Sequence, residues 1–253
     1  HVYGPSGSAP ELGTKAAIGG LLQALAWDLK GRTGALPDAG GQVISHEFDY
    51  KKADQVVYDD NGVKITAWPA IHSLDGSVSY RLEWSGLVFV FGGDTRPNKW
   101  FMQYAKGADF AIHECFYTPE GLAAYNDWGQ RQATYVSSYI HPPPQGFGKV
   151  MSAVKPRMAV AYHSILMPEQ YQQMLEQVRE TYDGPLTFAT DLMVWNVTKD
   201  AITLREAVIP DRVTPPSTTE TYKKAPRSGE ATMSKYIMDG VWKGFTPPPL
   251  PEE

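Results

Sequence analysis

The sequence lacks three features that would by themselves assign it to a class of protein. Its single cysteine, Cys115, cannot form a disulfide within the chain. It has no run of about 18 apolar residues, so no segment is predicted to span a membrane. It also has no basic stripe, and its net charge is -5, whereas nucleic-acid-binding proteins usually carry clustered lysine and arginine. A nucleic-acid partner is therefore not expected, and one cysteine leaves both a reducing compartment and export open as localisations.

The residues that are present favour a packed α/β protein. Hydrophobic residues make up 42% of the chain and charged residues 20%, which is enough for a core. Strand-like segments run together before about residue 90 and alternate with helix-like segments after it, a pattern typical of a layered α/β fold with a mixed sheet. The predicted strands are 42–50, 55–58, 63–69, 78–84, 87–91, 110–113, 158–162, 186–190, 193–197 and 201–205. The predicted helices are 10–30, 98–106, 145–154 and 168–182, with helix and loop over 118–139.

The composition changes at Pro210. The remaining residues are rich in proline, yet they include Tyr236, Met238, Trp242 and Phe245, and fully disordered tails are poor in such residues. We therefore predict a domain over residues 1–209 and a C-terminal arm over 210–253. The arm is expected to pack on its own domain or on a partner subunit, which would make a homodimer.

Histidines cluster at the ends of predicted strands, where α/β folds place their sites. The four are His72, His113, His141 and His163. A further strand ends in Gly92-Gly93 and is followed by Asp94. Alone, each histidine is more often structural, and Asp94 could simply cap the helix near Asn98. Their repetition at strand ends favours a shared site.

Imidazole and carboxylate groups are the ligands that catalytic zinc takes in proteins. A carboxylate can also bridge two metal ions, and a bound metal lowers the pKa of water so that hydroxide becomes available as a nucleophile. The histidines and Asp94 therefore predict a metal site with hydrolytic chemistry.

Several segments together resemble the ribonuclease Z and arylsulfatase branch of the metallo-β-lactamase superfamily. They are His72-Ser73 with Ser77-Val78-Ser79-Tyr80-Arg81, Phe91-Gly92-Gly93-Asp94-Thr95, residues 105–114 ending in His113-Glu114, Tyr3-Gly4-Pro5-Ser6-Gly7, and Tyr162-His163-Ser164. The resemblance covers about residues 2–206. It implies an αββα sandwich with mixed sheets whose N-terminal part is missing here.

The resemblance also implies roles for single residues in a dinuclear zinc site, with manganese or iron as alternatives. His72 would bind the first metal, His163 the second, and Asp94 both. His141 falls near a family histidine proposed to donate a proton to the leaving group, although Pro142 stands where the family has a small hydroxyl residue.

Three further residues are expected to support the metal ligands. Glu114 and His113 resemble a family pair at the margin of the site, and Asp191 would orient a ligand. The alternative for each of them is a purely structural role, in the core or in a turn.

The family's first metal motif, His-x-His-x-Asp-His, does not occur in this sequence. With His72, Asp94 and His163 alone, each of two metals would have two protein ligands, whereas catalytic zinc usually has three. We expect the natural protein to be longer and to supply the remaining ligands. A relic without metals is the alternative.

The expected activity is metal-dependent hydrolysis in which a zinc-bound hydroxide cleaves an ester-type bond of a small molecule: a phosphodiester, sulfate ester, carboxyl ester or lactone. Six aromatic residues between Glu114 and His141 predict an apolar pocket wall, with ordinary packing as the alternative, and hence a substrate with an apolar or aromatic part. Ribonuclease Z enzymes often carry an inserted arm that grips RNA, shortly after the strand that holds the Tyr-Arg pair. Here the chain turns back at Ser85-Gly86 directly after that strand, which leaves no room for such an arm there. The alternatives are a ribonuclease Z-like nuclease and a metal-free binding or scaffold protein on the same fold.

Overall fold

A computed structural model of the chain describes residues 1–34, 37–164 and 168–206. The C-terminal arm over 210–253 therefore lies outside the described residues, and both the domain boundary and the homodimer stay predictions. Among the described residues, 1–19 and 44–206 form one compact unit, and 20–34 with 37–43 belong to a second. No helix in the described part of the chain combines the length and the apolar character needed to cross a bilayer.

The secondary structure consists of eleven strands and seven α-helices in the described residues. The strands are β1 (Val2–Pro5), β2 (Ser45–Phe48), β3 (Gln55–Asp60), β4 (Val63–Pro69), β5 (Val78–Trp84), β6 (Leu87–Phe91), β7 (Phe110–Glu114), β8 (Met158–Tyr162), β9 (Leu186–Phe188), β10 (Met193–Val197) and β11 (Ile202–Glu206). The helices are α1 (Thr14–Ala24), α2 (Ala26–Arg32), α3 (Lys99–Tyr104), α4 (Pro119–Asn126), α5 (Gln130–Tyr135), α6 (Pro144–Val154) and α7 (Pro168–Arg179). Short 3₁₀ turns at Pro10–Leu12 and Asp38–Gly41 and a π-helical segment at Val136–Ile140 complete the description.

A seven-stranded mixed sheet with the order β3-β4-β5-β6-β7-β8-β9 organises the larger unit. Its strands pair antiparallel from β3 to β6 and parallel from β6 to β9. The β5–β6 hairpin turns at Ser85 and Gly86, whose φ angles of 51° and 74° suit a two-residue turn of the type that matches strand twist. The mixed α/β class expected from the sequence is confirmed.

The two faces of this sheet are covered differently. Helices α3, α6 and α7 bury one face, where Trp68, Phe101, Phe147 and Met174 have no exposed surface. The opposite face carries alternate residues of the same strands and lines an apolar cavity of about 580 Å³. Two separate two-stranded sheets, β1–β2 and β10–β11, also contribute to that cavity through Tyr3 and Trp195.

The elements near the chain start depart from the sequence-based prediction. Residues 10–30 do not form one helix, because Pro10–Leu12 is a 3₁₀ turn and the chain breaks again between α1, which ends at Ala24, and α2, which begins at Ala26. In the first turn of α1 the Glu47 carboxylate accepts the Lys15 N–H at 2.9 Å. The strand predicted over 42–50 is only four residues long, because its partner β1 pairs with it only from Val2 to Pro5.

Candidate metal centre

The site lies at one edge of the seven-stranded sheet, where four strands end. Strands β6, β7 and β8 run parallel, so their carboxyl ends meet at the same edge. Strand β4 runs in the same direction, because β4 and β6 are both antiparallel to β5. The residues that follow or end these strands are His72, Asp94, Glu114 and His163. The sheet topology thus explains why residues far apart in sequence converge.

Two glycines deliver Asp94 to this edge. Gly92 continues the sheet by donating its N–H to the Ile112 carbonyl at 2.9 Å. Gly93 has a φ of 67°, and a Cβ there would lie 3.1 Å from the Val78 carbonyl oxygen. Only glycine suits both conditions, so the chain turns sharply and presents the Asp94 carboxylate.

Asp94 does not cap helix α3, which was the alternative role for it. The Asn98 side chain accepts the Phe101 N–H at 2.9 Å and caps helix α3. Asp94 instead faces His163, with Oδ2 3.3 Å from Nε2. It also accepts a hydrogen bond of 3.4 Å from the Tyr162 hydroxyl. Burial and the nearby carboxylates raise the pKa of Tyr162, which keeps the hydroxyl protonated as a donor.

Glu114 and His141 form a buried pair beside Asp94. The Glu114 side chain is fully buried; its Oε1 accepts the Thr95 N–H at 2.6 Å and its Oε2 lies 2.7 Å from His141 Nδ1. Burial raises the pKa of Glu114 to about 9 and lowers the pKa of His141. Because the interior disfavours separated charges, we assign one proton to the Oε2–Nδ1 contact.

The four residues Asp94, Glu114, His141 and His163 each offer one ligand atom, and these atoms all lie within 4.8 Å of one another. His72 stands next to this group, with its ring 5.1 Å from the His141 ring. Burial lowers the pKa of His72, and its Nε2 is shielded from solvent with no hydrogen-bond partner among the described residues. A buried nitrogen with a free lone pair suits a metal ligand.

The donor set fits a metal ion. Imidazole nitrogen and carboxylate oxygen are ligands for zinc, and also for iron and manganese. Two atoms bound to one tetrahedral ion at ~2.0 Å lie about 3.3 Å apart, which is the separation of Asp94 Oδ2 and His163 Nε2. The 2.7 Å between Glu114 and His141 is instead a hydrogen-bond length. Glu114 thus suits orienting His141 better than sharing an ion with it.

Aromatic residues cover one side of the site, but fewer than the sequence indicated. Phe116 stacks on His141 with ring centroids 4.2 Å apart and lies 5.4 Å from the His163 ring. Tyr117 and Trp128 belong instead to a small separate core around Leu122. Phe116 also packs against that core, and Tyr125, Tyr135 and Tyr139 are largely exposed, so among the described contacts Phe116 is the aromatic residue of this stretch that lies against the site histidines.

Two residues expected to support the ligands lie elsewhere. His113 is fully buried in the helix-covered core, with its ring 4.6 Å from Phe101. Asp191 is exposed in the turn before β10. Neither belongs to the group of four found among the described residues, and their support of the ligands stays a prediction.

Sequence reasoning missed Thr95 and Tyr162. Thr95 is fully buried; its N–H binds Glu114, and its hydroxyl oxygen accepts the Ile71 N–H at 2.9 Å. It thereby joins the loops that carry Asp94 and His72. A threonine directly after the aspartate was visible in the sequence, but only the fold shows which backbone groups it meets.

Comparison with known proteins gives a likeness of fold. No family model and no curated protein matches the chain. Among solved structures, the metallo-β-lactamase-fold protein YhfI from Bacillus subtilis matches with TM-score 0.43 and 14% identity over 58% of this chain and 54% of that one. The short form of human tRNase Z matches with TM-score 0.38 and 18% identity over 62% and 49%. CmlA, a diiron β-hydroxylase from Streptomyces venezuelae, matches with TM-score 0.41 and 9% identity over 59% and 34%.

The first of these proteins is described as having the metallo-β-lactamase fold, which is the fold class expected here from the sequence. The chain spans about half the length of the first two and a third of CmlA. The branch within the superfamily stays a prediction.

Proposed function

We propose that the protein is a metal-dependent hydrolase that cleaves an ester-type bond in a small molecule. The observation that supports this most directly is the group of imidazole and carboxylate donors at one sheet edge, beside a buried Glu114–His141 pair. Asp94, His163 and His72 would hold the metal, with zinc as the expected ion. When bound, it would polarise the ester and lower the pKa of water.

The other residues position and move protons. The Glu114 carboxylate, fixed by the Thr95 N–H, holds His141 Nδ1 and so sets the orientation of the ring and of Nε2. His141 is almost fully buried under Phe116, which keeps bulk water away from the ring. His141 is thus suited to pass a proton through Nε2 to the leaving oxygen of the ester.

The substrate class follows from charge and surroundings. The chain carries a net charge of -5, which does not favour a polyanionic substrate. A small phosphodiester, sulfate ester, carboxyl ester or lactone is compatible with the donor set. The activity of the natural protein on any of them belongs to the proposal.

The test combines metal content with a substrate panel. Purified protein is loaded with zinc, manganese or iron, and bound metal is measured by mass spectrometry alongside hydrolysis of 4-nitrophenyl acetate, 4-nitrophenyl sulfate, bis(4-nitrophenyl) phosphate and a lactone. We expect bound metal and hydrolysis of at least one compound, both lost in Asp94→Ala and both kept in Asp191→Ala, which alters an exposed aspartate. Absence of metal and of hydrolysis in the unaltered protein would overturn the proposal.

A further inference from the structure

A second cavity, of about 240 Å³, opens beside His72. It shares the His72 side chain with the metal centre, and its other walls come from the end of β4, the loop that follows it, residues 50 and 51, and α3. The large apolar and aromatic residues of the wall are Tyr50, Ile71, Leu74 and Trp100. The larger cavity on the open sheet face touches none of the metal-site donors.

Three hydrogen bonds hold the loop that forms this pocket, residues 70–77. The Ala70 N–H donates to the Ser77 carbonyl at 2.9 Å and closes the loop at its base. The Ile71 N–H donates to the Thr95 hydroxyl oxygen at 2.9 Å. The Tyr50 hydroxyl donates to the Asp75 carboxylate at 3.1 Å. The pocket is therefore formed before any ligand arrives.

This loop exposes two apolar side chains to solvent. Ile71 is 41% exposed and Leu74 is 61% exposed, and both line the pocket together with Trp100. Apolar groups held beside polar ligands in a preformed cleft are typical of small-molecule sites. The Asp75 carboxylate at the rim is already engaged by Tyr50. Lys51 and His72 are the other charged or polar side chains of the lining, so a ligand would meet apolar side chains on one part of the wall and polar groups on the rest.

We infer that this pocket binds the apolar group of the ester substrate, a single ring or a compact branched alkyl group. A dry cavity of ~150 Å³ accommodates benzene, so about 240 Å³ is enough for one ring with a short substituent. The ester carbon would then lie at the His72 side of the metal centre. The inference rests on the proposed hydrolase function, but the pocket itself can be tested without it.

The experiment uses a binding probe and a pair of substrates. Binding of 4-fluorophenol is followed by fluorine NMR, which needs neither metal nor turnover. KM is measured for phenyl acetate and for methyl acetate, which differ in the group that the pocket would take. The variant is Leu74→Ser, and the matched control is Leu192→Ser, which removes a leucine that is 53% exposed outside the pocket.

We expect Leu74→Ser to weaken 4-fluorophenol binding and to raise KM for phenyl acetate, each about five-fold, since part of a leucine contact is lost. KM for methyl acetate and all values in Leu192→Ser should stay unchanged. Unaltered 4-fluorophenol binding in Leu74→Ser would overturn the inference, because the ring then binds elsewhere. Binding that depends on Leu74 without hydrolysis of either ester would support the pocket and count against the proposed function instead.

Discussion

His113 and Glu114 are consecutive residues of β7, both fully buried, and they belong to two different regions of the molecule. His113 points into the helix-covered core against Phe101 and Phe147. Its Nδ1 donates to the Glu114 carbonyl at 2.8 Å, while its Nε2 has no hydrogen-bond partner among the described residues. Glu114 points to the sheet edge, where both carboxylate oxygens are bonded.

The difference teaches that burial alone does not mark a functional group. The interior lowers the pKa of His113 to about 4 and raises the pKa of Glu114 to about 9, and burial is the main cause for both. What separates them is their neighbours: aromatic rings for His113, and titratable groups for Glu114. Substitutions on the two sides of β7 should therefore act on stability and on activity, respectively.

The largest expected effect is at the metal centre. His163→Asn removes an imidazole but tolerates the positive φ of 65° at this position. We expect loss of bound metal and of hydrolysis beyond the 10–100-fold typical of orienting residues, with little change in the free energy of unfolding. Mass spectrometry and initial rates measure this, and His46→Asn, away from the site, is the control. Full metal content in His163→Asn would remove His163 from the ligand set.

The core side of the comparison is tested at Phe101, which is fully buried against Trp68 and His113. Phe101→Ala should lower the free energy of unfolding by about 3–5 kcal/mol, because it leaves a cavity in a packed core. Urea denaturation measures the change. Phe116→Ala, on the site side, should cost less stability and lower the hydrolysis rate more. Equal stability losses in the two variants would contradict the division into regions.

A smaller effect is expected at the Glu114–His141 pair. Glu114→Gln keeps an acceptor for the Thr95 N–H, but its amide cannot give a proton to His141 Nδ1 when Nε2 loses one, as a protonated Glu114 carboxyl can. We expect a 10–100-fold fall in kcat with metal content retained. Loss of metal in proportion to the loss of activity would instead show that His141 acts as a ligand.

Much of this arrangement could be predicted from the sequence, because it depends on strands. The patterns for β4, β6, β7 and β8 were strong, and parallel strands bring their ends together whatever lies between them. Asp94 and His163 could therefore be expected at the same sheet edge from their position after a strand. The sequence alone could not decide whether Asp94 or Asn98 caps the helix that follows. The structure shows that Asn98 is the cap.

The rest depended on tertiary contacts that a linear pattern does not contain. His113 and Glu114 were expected to act together because they resemble a family pair, yet consecutive residues of a strand face opposite sides of the sheet. Thr95 and Tyr162 contribute through single hydrogen bonds, which leave no periodic signal. The pocket beside His72 needs three elements to meet and could not be inferred from any one of them.

The smallest effect at neutral pH, and the sharpest test of the comparison, is His113→Leu. The substitution removes the unpartnered Nε2 and also the Nδ1 hydrogen bond to the Glu114 carbonyl. These effects oppose each other, so the free energy of unfolding should change by no more than about 1.5 kcal/mol at pH 7. Activity should be unchanged, since the hydrogen bond of His113 goes to the Glu114 backbone carbonyl and not to its carboxylate.

The pH dependence gives this variant a distinct signature. The folded pKa of His113 is depressed from 6.5 to about 4, so the unfolded chain takes up its proton first as the pH falls. The unaltered protein should therefore lose about 3 kcal/mol of stability between pH 6.5 and pH 4 through this residue. His113→Leu should lack that part of the acid sensitivity in urea titrations of the metal-free protein. Identical pH profiles in the two proteins would mean that His113 has a partner able to hold its charge, and the contrast with Glu114 would fail.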